Sequence, residues 1–545
     1  MKKLPLFFLL LPSFLNHLSA QTFNRLDLPV IVDDTPLLNP WVGGLNAPQW
    51  SAADLNNDGK PDLYAFDRNG EVHLTWLNIG AAGESKYQFA PEFADHFPRC
   101  VHFVLLRDYN RDGAMDLFTH GFIEGLPAFR VFKGKFVNNH LAFDRVEFPQ
   151  YFADVITIPV AGNYTNLPVN PPDYPAIDDL DGDGDLDILV LSQSLQNIAY
   201  YENQAIEKGY TDDTLIYDLK DPCWGRIYLA PFAQSFTLPD PATCECPPGL
   251  VATGDDERGG GAHGSASLCT FDDDNDGDKE ILFGDLIFPH IIYGKNGGDP
   301  EEACIESQDT IYPSYDSPVD LPNFPAAFCL DLDNDGLNDL MASPNVTKTA
   351  PDQLVGWFYK NIQSNEFPKF ELQQKDLIVK DMLDLGTGAQ PAFVDFNADG
   401  LMDLAVGNIN FYTPDAPMML VPEEPRLYLL QNIGTASEPK FELVDDDWLN
   451  FSQFAGFANA FAPAFGDLDS DGDLDLLVGE DHGTLFFVEN LAGAGNPFSF
   501  GSIQPLWQAI DVGQNATPFI HDMNKDGLPD LVVGERNGNV DYFPN

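Results

Sequence analysis

Short apolar runs separated by glycine-containing turns recur along the chain, most clearly near its C-terminal end. The segments LDLLVGEDHGTLFFVEN (474–490) and PDLVVGERNGNVDYFPN (529–545) each contain two apolar runs joined by a tight turn. Apolar runs of this length, bounded by Gly, Asn and Asp, are typical of strands joined in hairpins. The pattern therefore predicts an all-β chain.

One acidic motif recurs eight times and sets the period of the chain. The pattern D-x-[DN]-x-D-G-x-x-[DE]-[LI] begins at Asp54, Asp108, Asp179, Asp272, Asp331, Asp395, Asp467 and Asp522. The copies start 54 to 93 residues apart. A single motif of this kind is a modest signal, but eight copies at a near-regular period indicate a repeat architecture.

The unit at 462–503 shows how one repeat is expected to fold. It contains a strand, the acidic loop, a strand, a tight turn, a strand, a Gly-rich loop and a strand. Eight such four-stranded antiparallel units predict a single β-propeller of eight blades. The last unit stops after its third strand, so we expect Thr22–Val32 to supply the missing strand of the blade that begins near Thr517. Closing the ring would remove open sheet edges; the alternative is a frayed N-terminal tail.

The acidic loops need an explanation because their carboxylates repel one another. Five aspartates lie between Asp179 and Asp187, and two carboxylates about 4 Å apart repel by roughly 1 kcal/mol even in water. Oxygen side chains at positions 1, 3 and 5 of a tight loop converge on one point, and the glycine at position 6 permits the turn. Oxygen ligands in a flexible loop favour Ca²⁺. The alternative, a set of solvated acidic turns, does not explain why the same positions are filled each time.

The loops are not EF-hands. An EF-hand has a bidentate Glu at position 12 and helices on both sides, whereas the flanks here have the pattern of strands. Position 12 is occupied by side chains that are not expected to bind calcium: Ala65, Thr119, Val190, Phe283, Ala342, Val406, Val478 and Val533.

The eight motifs, with blocks such as DLLVGEDHGTLFFVEN, resemble the FG-GAP and VCBS repeats of the integrin α-subunit type of propeller, over nearly the whole mature chain. The resemblance implies one Ca²⁺ per loop, up to eight in all, held by side chains at positions 1, 3, 5 and 9 and by the backbone carbonyl at position 7. The residues so implied are Asp54, Asn56, Asp58, Lys60 and Asp62; Asp108, Asn110, Asp112, Ala114 and Asp116; Asp179, Asp181, Asp183, Asp185 and Asp187; Asp272, Asp274, Asp276, Asp278 and Glu280; Asp331, Asp333, Asp335, Leu337 and Asp339; Asp395, Asn397, Asp399, Leu401 and Asp403; Asp467, Asp469, Asp471, Asp473 and Asp475; and Asp522, Asn524, Asp526, Leu528 and Asp530.

Three features depart from the family pattern. Glu280 replaces Asp at position 9 of the fourth loop, and position 3 is a neutral Asn in the first, second, sixth and eighth loops, which should weaken those sites. The integrin ring also has seven blades, whereas eight motifs argue for eight. The resemblance therefore does not transfer an integrin-like ligand site.

The net charge and the N-terminal segment indicate which partners the chain can bind and where it is located. The net charge is −57, from 85 acidic and 28 basic residues, which argues against nucleic acid or an anionic membrane surface as a partner. Residues 1–20 have two lysines, a short apolar run and an Ala before Gln21, the pattern of a secretory signal peptide; a buried strand is the alternative. We therefore expect residues 21–545 to be a secreted or periplasmic propeller with no membrane span.

The remaining features favour a binding protein over an enzyme. Seven cysteines could pair only in part, because their number is odd, and we expect no metal at Cys244–Cys246. An insertion at about 203–267 and a long loop in the sixth unit interrupt the repeats. The chain contains no H-E-x-x-H, no G-x-S-x-G and no phosphate-binding loop. We expect a noncatalytic adhesion module that binds a glycan or protein; the alternative is a polysaccharide lyase, which needs a basic cleft.

Overall fold

The computed structural model describes residues 25–148, 154–192, 195–211, 213–229, 233–247, 264–322, 324–346, 352–410 and 424–545. The predicted signal peptide lies outside these residues. So do most of the Gly-rich run in the insertion and most of the long loop in the sixth unit. Within the described residues, no helix is long and apolar enough to cross a membrane.

The chain folds as many small antiparallel sheets, which confirms the all-β prediction. A hairpin of β1 (Val30–Val32) and β2 (Thr35–Pro36) comes first. Each acidic loop then joins the first two strands of one sheet, and we number these sheets 1 to 8 in chain order. Sheet 1 contains β3 (Pro48–Ala53), β4 (Asp62–Asp67), β5 (Val72–Asn78) and β6 (Tyr87–Phe89), and sheet 2 contains β7 (Val104–Arg107), β8 (Asp116–Ile123), β9 (Leu126–Val137) and β10 (His140–Arg145). A separate hairpin of β11 (Thr157–Val160) and β12 (Asn163–Asn166) follows. Sheet 3 contains β13 (Ala176–Asp178), β14 (Asp187–Leu191), β15 (Ile198–Asn203) and β16 (Tyr217–Asp221).

The later sheets follow the same plan after a second hairpin, β17 and β18. Sheets 7 and 8 contain three assigned strands each rather than the predicted four. The hairpin consists of β17 (Tyr228–Leu229) and β18 (Phe236–Thr237). Sheet 4 contains β19 (Ala266–Phe271), β20 (Glu280–Asp285), β21 (Ile291–Asn296) and β22 (Ile305–Tyr312); sheet 5 contains β23 (Pro325–Leu330), β24 (Asp339–Pro344), β25 (Trp357–Asn361) and β26 (Phe370–Gln374); and sheet 6 contains β27 (Gln390–Val394), β28 (Asp403–Gly407), β29 (Leu427–Asn432) and β30 (Phe441–Asp445). Sheet 7 contains β31 (Ala462–Gly466), β32 (Asp475–Gly479) and β33 (Leu485–Val488), and sheet 8 contains β34 (Thr517–His521), β35 (Asp530–Gly534) and β36 (Val540–Phe543).

Among the described residues, helical structure is limited to short 3₁₀ segments in the connections between strands. These are Pro91–His96, Trp224–Arg226, Val379–Asp381, Trp448–Phe454 and Trp507–Ala509. The second strands of the sheets explain the apolar runs in the sequence: β4, β14, β20, β24, β28 and β32 are buried at every residue. A strand covered on both faces needs a continuous apolar run rather than alternation.

Sheets 1 to 5 surround one cavity of about 270 Å³. Its walls come from the first strand of each of these sheets, including Trp50, Leu105, Ile177, Cys269 and Phe328. Consecutive sheets are joined by backbone and side-chain hydrogen bonds, such as the one from the Arg107 Nε to the Ile177 carbonyl oxygen at 3.1 Å. The first strands of these five sheets therefore share one core.

Sheet 5 then packs back against sheet 1. Strand β23 contacts β3, the Trp50 indole Nε1 donates to the Ser343 Oγ at 2.7 Å, and the Gln49 Nε2 donates to the Asn345 Oδ1 at 2.9 Å. The Tyr87 hydroxyl donates to the Leu332 carbonyl oxygen at 3.0 Å. The predicted single ring of eight sheets is therefore wrong: five sheets close on themselves, because the first strand of sheet 5 meets sheet 1 before sheets 6 to 8 are reached.

Sheets 6, 7 and 8 form a row beside the five closed sheets. Strand β27 contacts β31, and β31 contacts β34. The first strands at the two ends of the row stay partly exposed, with Phe393 of β27 60% exposed and Phe519 of β34 61% exposed. These strands lack the cover that the closed arrangement gives to sheets 1 to 5.

The N-terminal strand is not where the sequence placed it. Within the described part of Thr22–Val32, Val30–Val32 form β1, which pairs in parallel with β30 of sheet 6 and not with sheet 8. Val30 is buried against Leu404, Tyr428 and Phe441 of sheet 6. The predicted completion of the last sheet is therefore wrong, because the edge of sheet 6 offers this short apolar strand a deeper apolar contact.

Four cysteines of the insertion and its surroundings form two disulfides. Cys223 pairs with Cys246, and Cys244 pairs with Cys304. The adjacent cysteines Cys244 and Cys246 therefore attach the insertion both to the end of sheet 3 and to the residue just before β22 in sheet 4.

The contact between sheets 1 and 5 predicts a large effect for Trp50→Ala. The Trp50 side chain is 2% exposed, and truncating a buried Trp costs about 3–5 kcal/mol. We expect that loss in the free energy of unfolding measured with denaturant. Phe519→Ala, at an exposed ring, should change it by less than about 0.5 kcal/mol. Equal effects for the two variants would contradict the closure of sheet 5 on sheet 1.

Candidate metal centres

The eight acidic loops share one backbone arrangement. In every loop the N–H of position 7 donates to the carboxylate of position 5, as from Lys60 to Asp58 at 2.9 Å and from Leu401 to Asp399 at 2.8 Å. In seven loops the N–H of the position-6 glycine donates to the position-1 carboxylate at 2.8 to 3.2 Å. These bonds curl the loop around its carboxylates.

Positive φ angles at positions 4 and 6 make this curl possible. The position-6 glycines have φ between +85° and +100°, where a Cβ would be strained. Position 4 also has a positive φ, which the motif did not reveal because the residue there varies. Asn tolerates this conformation better than most residues. The position-4 residues are Asn57, Arg111, Gly182, Asn275, Asn334, Ala398, Ser470 and Lys525.

The acid at position 9 ties the loop to the rest of its sheet. One Asp62 oxygen accepts the Leu55 N–H at 3.0 Å, and the other accepts the Asn78 N–H at 2.8 Å. Leu55 follows the first ligand position and Asn78 ends the third strand, so one carboxylate joins three segments. Bonds to both segments are present in seven loops. In the remaining one, the fourth, Glu280 accepts the Asp273 N–H at 2.8 Å. The position-9 acid therefore stabilises the hairpin whether or not it binds an ion.

Burial makes the charge on these position-9 acids costly. It raises the pKa of Asp62 to about 6, that of Asp116 to about 7 and that of Asp339 to about 7. The cause is mainly desolvation, partly offset by the backbone N–H groups that the carboxylates accept. A bound cation would favour the ionised form of each group.

Four loops contain buried carboxylate oxygens that lack a hydrogen-bond partner. These are the third, fourth, fifth and seventh loops, the four in which position 3 is Asp. A buried acceptor without a donor is unfavourable unless something else compensates its charge. The oxygens belong to Asp183, Asp185, Asp274, Asp278, Glu280, Asp333, Asp467 and Asp473. In the third and fourth loops, one oxygen each from positions 1, 3 and 5 lie within 4.8 Å of one another. This donor set fits Ca²⁺.

Where position 3 is Asn, its side-chain amide can donate a hydrogen bond to a nearby carboxylate. The Asn56 amide donates to Asp58 at 3.0 Å, and the Asn397 amide donates to Asp399 at 2.9 Å. The Asn110 amide donates to Asp213, outside its loop, at 3.3 Å. That a neutral Asn at position 3 weakens these sites for a cation stays a prediction.

Lysines from the third strands approach three loops, a feature that the motif search did not find. The Lys295 Nζ lies 2.6 Å from Asp274. The Lys360 Nζ contacts Asp333 and lies 2.8 Å from Asp335. The signal is a lysine just before the residue that ends the third strand, as in GKN and YKN; Lys133, in FKG, lies 3.9 Å from Asp112. An internal ammonium group therefore compensates the fourth and fifth loops.

The third loop has no lysine at the corresponding position of its third strand. Glu202 occupies the position at which the neighbouring sheets have these lysines, and one oxygen each from Asp181, Glu202 and Glu207 lie within 4.8 Å of one another. Asp183 and Asp185 form a second such group with Glu207. Burial raises the pKa of Asp185 to about 7. The Glu202 carboxylate also contacts the ammonium group of Lys220 on β16.

An apolar groove lies beside the sixth loop. It has a volume of about 630 Å³, and its walls include Leu26, Trp41, Phe393 and Met402. Phe393 and Met402 are 60% and 52% exposed. The loop supplies Gly400, Leu401 and Met402 to the wall, at positions 6 to 8 of the motif. An exposed apolar surface of this kind marks interaction sites.

Comparison with known proteins identifies the repeat. The family described as "FG-GAP-like repeat" matches residues 54–119 and 467–533. No curated protein matches the chain. Among solved structures, a lectin of Agrocybe aegerita that recognises non-reducing terminal N-acetylglucosamine is 13% identical, with coverage of 85% of this chain and 81% of its own. A chain from the complex of BBS1N with ARL6DN is 10% identical, with coverage of 92% and 94%. Both have TM-scores of 0.16, too low to support a conclusion.

The buried acids predict how the stability of the metal-free protein depends on pH. Because the folded-state pKa values of Asp62, Asp116 and Asp339 exceed the unfolded value of about 3.9, the folded state binds more protons between about pH 4 and 7. Its stability therefore falls as pH rises through that window. With chelator present, the melting temperature should be higher at pH 5 than at pH 7.5. Calcium should raise it more at pH 7.5 than at pH 5; a metal-free melting temperature that increases with pH would contradict this.

Lys360→Met should make the fifth loop more dependent on calcium. Without the ammonium group, Asp333 and Asp335 face each other uncompensated, so the metal-free variant should melt several degrees below the parent. Saturating calcium should remove most of that difference. Lys369→Met is the matched control, because its ammonium group lies over the Tyr315 ring in the same sheet rather than at the loop. An equal calcium-induced shift in the two variants would refute the role of Lys360.

Proposed function

This chain is an FG-GAP repeat protein, and we propose that it is a secreted, calcium-binding β-propeller that acts as a noncatalytic adhesion module for a glycan or protein ligand. The observation that carries the calcium part is the set of buried, unpartnered carboxylate oxygens in four loops. We take sheets 1 to 5 as the blades of one closed ring and sheets 6 to 8 as additional blades beside it.

The calcium is mainly structural in this proposal. Its ligands are the position-1, -3 and -5 side chains, with the position-7 carbonyl and the position-9 carboxylate completing the shell. At about 1 mM calcium and a dissociation constant of about 10⁻⁴ M, each occupied site adds about 1.4 kcal/mol by linkage. The ion would hold together the loop that joins the first two strands of a sheet.

The groove beside the sixth loop is the ligand surface that we propose. Ligand sites are typically concave and mostly apolar, and this groove presents the exposed Phe393 ring. Because Gly400, Leu401 and Met402 belong to the sixth acidic loop and to the wall of the groove, an ion in that loop would fix one side of the ligand site. Ligand binding would then require calcium even though calcium does not contact the ligand.

The function is tested with the whole secreted chain on a glycan array, with calcium and with chelator. We expect calcium-dependent binding that Phe393→Ala weakens at least tenfold. Phe519→Ala is the matched control, because that ring is equally exposed but lies on sheet 8. Equal losses in both variants would place the ligand elsewhere.

The same samples test the enzyme alternative. Acidic polysaccharides are incubated with the chain, and new unsaturated chain ends are followed by their ultraviolet absorbance. A binding module leaves the polysaccharide length unchanged. Calcium-dependent shortening would replace the adhesion proposal with the lyase one.

A further inference from the structure

Two thiols from neighbouring sheets lie against each other inside the closed group of five sheets. The Cys269 Sγ on β19 and the Cys329 Sγ on β23 are 3.6 Å apart. With Cys100, they are the cysteines outside the two disulfides. We propose that Cys269 and Cys329 are a third disulfide site, which links sheets 4 and 5 when the folded chain meets a low-molecular-weight disulfide.

The surrounding structure holds the two thiols in register. The Ser267 Oγ, two residues before Cys269, donates to the Pro325 carbonyl oxygen at 2.7 Å, so β19 and β23 are fixed against each other. A disulfide has a sulfur–sulfur distance of about 2.05 Å. Side-chain rotation within the existing contact of β19 and β23 therefore has to close a gap of about 1.5 Å from the observed 3.6 Å.

The groups around Cys269 also favour its thiolate form. The hydrogen bond with the Cys329 thiol, together with the nearby Arg107 guanidinium, lowers the pKa of Cys269. The thiolate is the nucleophile in thiol–disulfide exchange. Both cysteines line the central cavity and a second cavity of about 360 Å³ that Arg107 and Lys279 also line, and these cavities offer a route for a small reagent.

The exchange balances in two steps. The Cys269 thiolate attacks one sulfur of the small disulfide, which breaks its sulfur–sulfur bond and releases one small thiolate. The Cys329 sulfur then attacks the Cys269 sulfur of the mixed disulfide and breaks its bond to the second small thiol, and the Cys329 proton passes to the departing small thiolate. The two protein thiols are oxidised by two electrons, and the small disulfide is reduced to two thiols.

Such a bond would tie together two neighbouring candidate metal centres. Cys269 lies three residues before Asp272, and Cys329 lies two residues before Asp331. These aspartates are the first ligand positions of the fourth and fifth loops. A covalent link between the strands that lead into them would fix their separation, and we expect the oxidised protein to melt at a higher temperature.

The test treats the folded chain with oxidised glutathione, then unfolds it in the presence of N-ethylmaleimide and measures the intact mass. The oxidised protein should carry one label, on Cys100, against three labels before treatment. Peptide mapping should recover Cys269 joined to Cys329. Three labels after treatment, a lasting glutathione adduct, or a linked pair that includes Cys100 would overturn the proposal.

Two variants separate the bond from other effects of oxidation. Cys100→Ser should carry no label after treatment and should keep the rise in melting temperature. Cys329→Ser should lose that rise and carry no Cys269 crosslink. If Cys329→Ser does not fold, the labelling and mapping of the natural chain decide the question.

Discussion

The acid at position 9 of each loop is the constraint on which each sheet depends. Asp62 shows the reason: its two oxygens accept N–H groups from the start of the loop and from the end of the third strand. A neutral side chain of similar size would lose half of this bridge, so the acid is kept although burial raises its pKa to about 6. Burial raises the pKa of the position-9 acid in seven repeats, and the rest of each loop compensates for the buried charge. Asp530 in the eighth differs, because the hydrogen bond from the Asn545 N–H lowers its pKa.

The loops compensate the unfavourable burial of carboxylate charge in three different ways. Asn at position 3 removes one charge and donates a hydrogen bond to position 5, as Asn56 does. Lys295 and Lys360 bring an ammonium group from the third strand to the carboxylates. In the third loop, Glu202 stands where those lysines stand, and an ammonium group from the fourth strand, that of Lys220, contacts Glu202. Eight copies of one motif therefore differ in how strongly they call for an external cation.

The sequence predicted what lies within a repeat and not what lies between repeats. The hairpin around each loop and the turn at position 6 follow from local patterns, and the structure contains them. The closure of sheet 5 on sheet 1 depends on contacts such as Trp50 with Ser343, which are 293 residues apart and have no periodic signature. The strand Val30–Val32 was misplaced for the same reason, since three apolar residues suit many sheet edges. The lysines were missed because the motif ends before the third strand begins.

Closure after five sheets divides the chain into parts with different surfaces. In sheets 1 to 5 the first strands face a shared cavity, so their apolar side chains serve the core. In sheet 6 the first strand has no such partner on one side, and Phe393 stays exposed next to the sixth loop. A chain with a net charge of −57 repels other anionic surfaces at long range. A cation bound in the sixth loop would reduce the negative charge beside the apolar groove, so a ligand would meet the least repulsion there. The closure after five sheets thus leaves this strand exposed, and a cation bound in the acidic loop beside it would act on that surface.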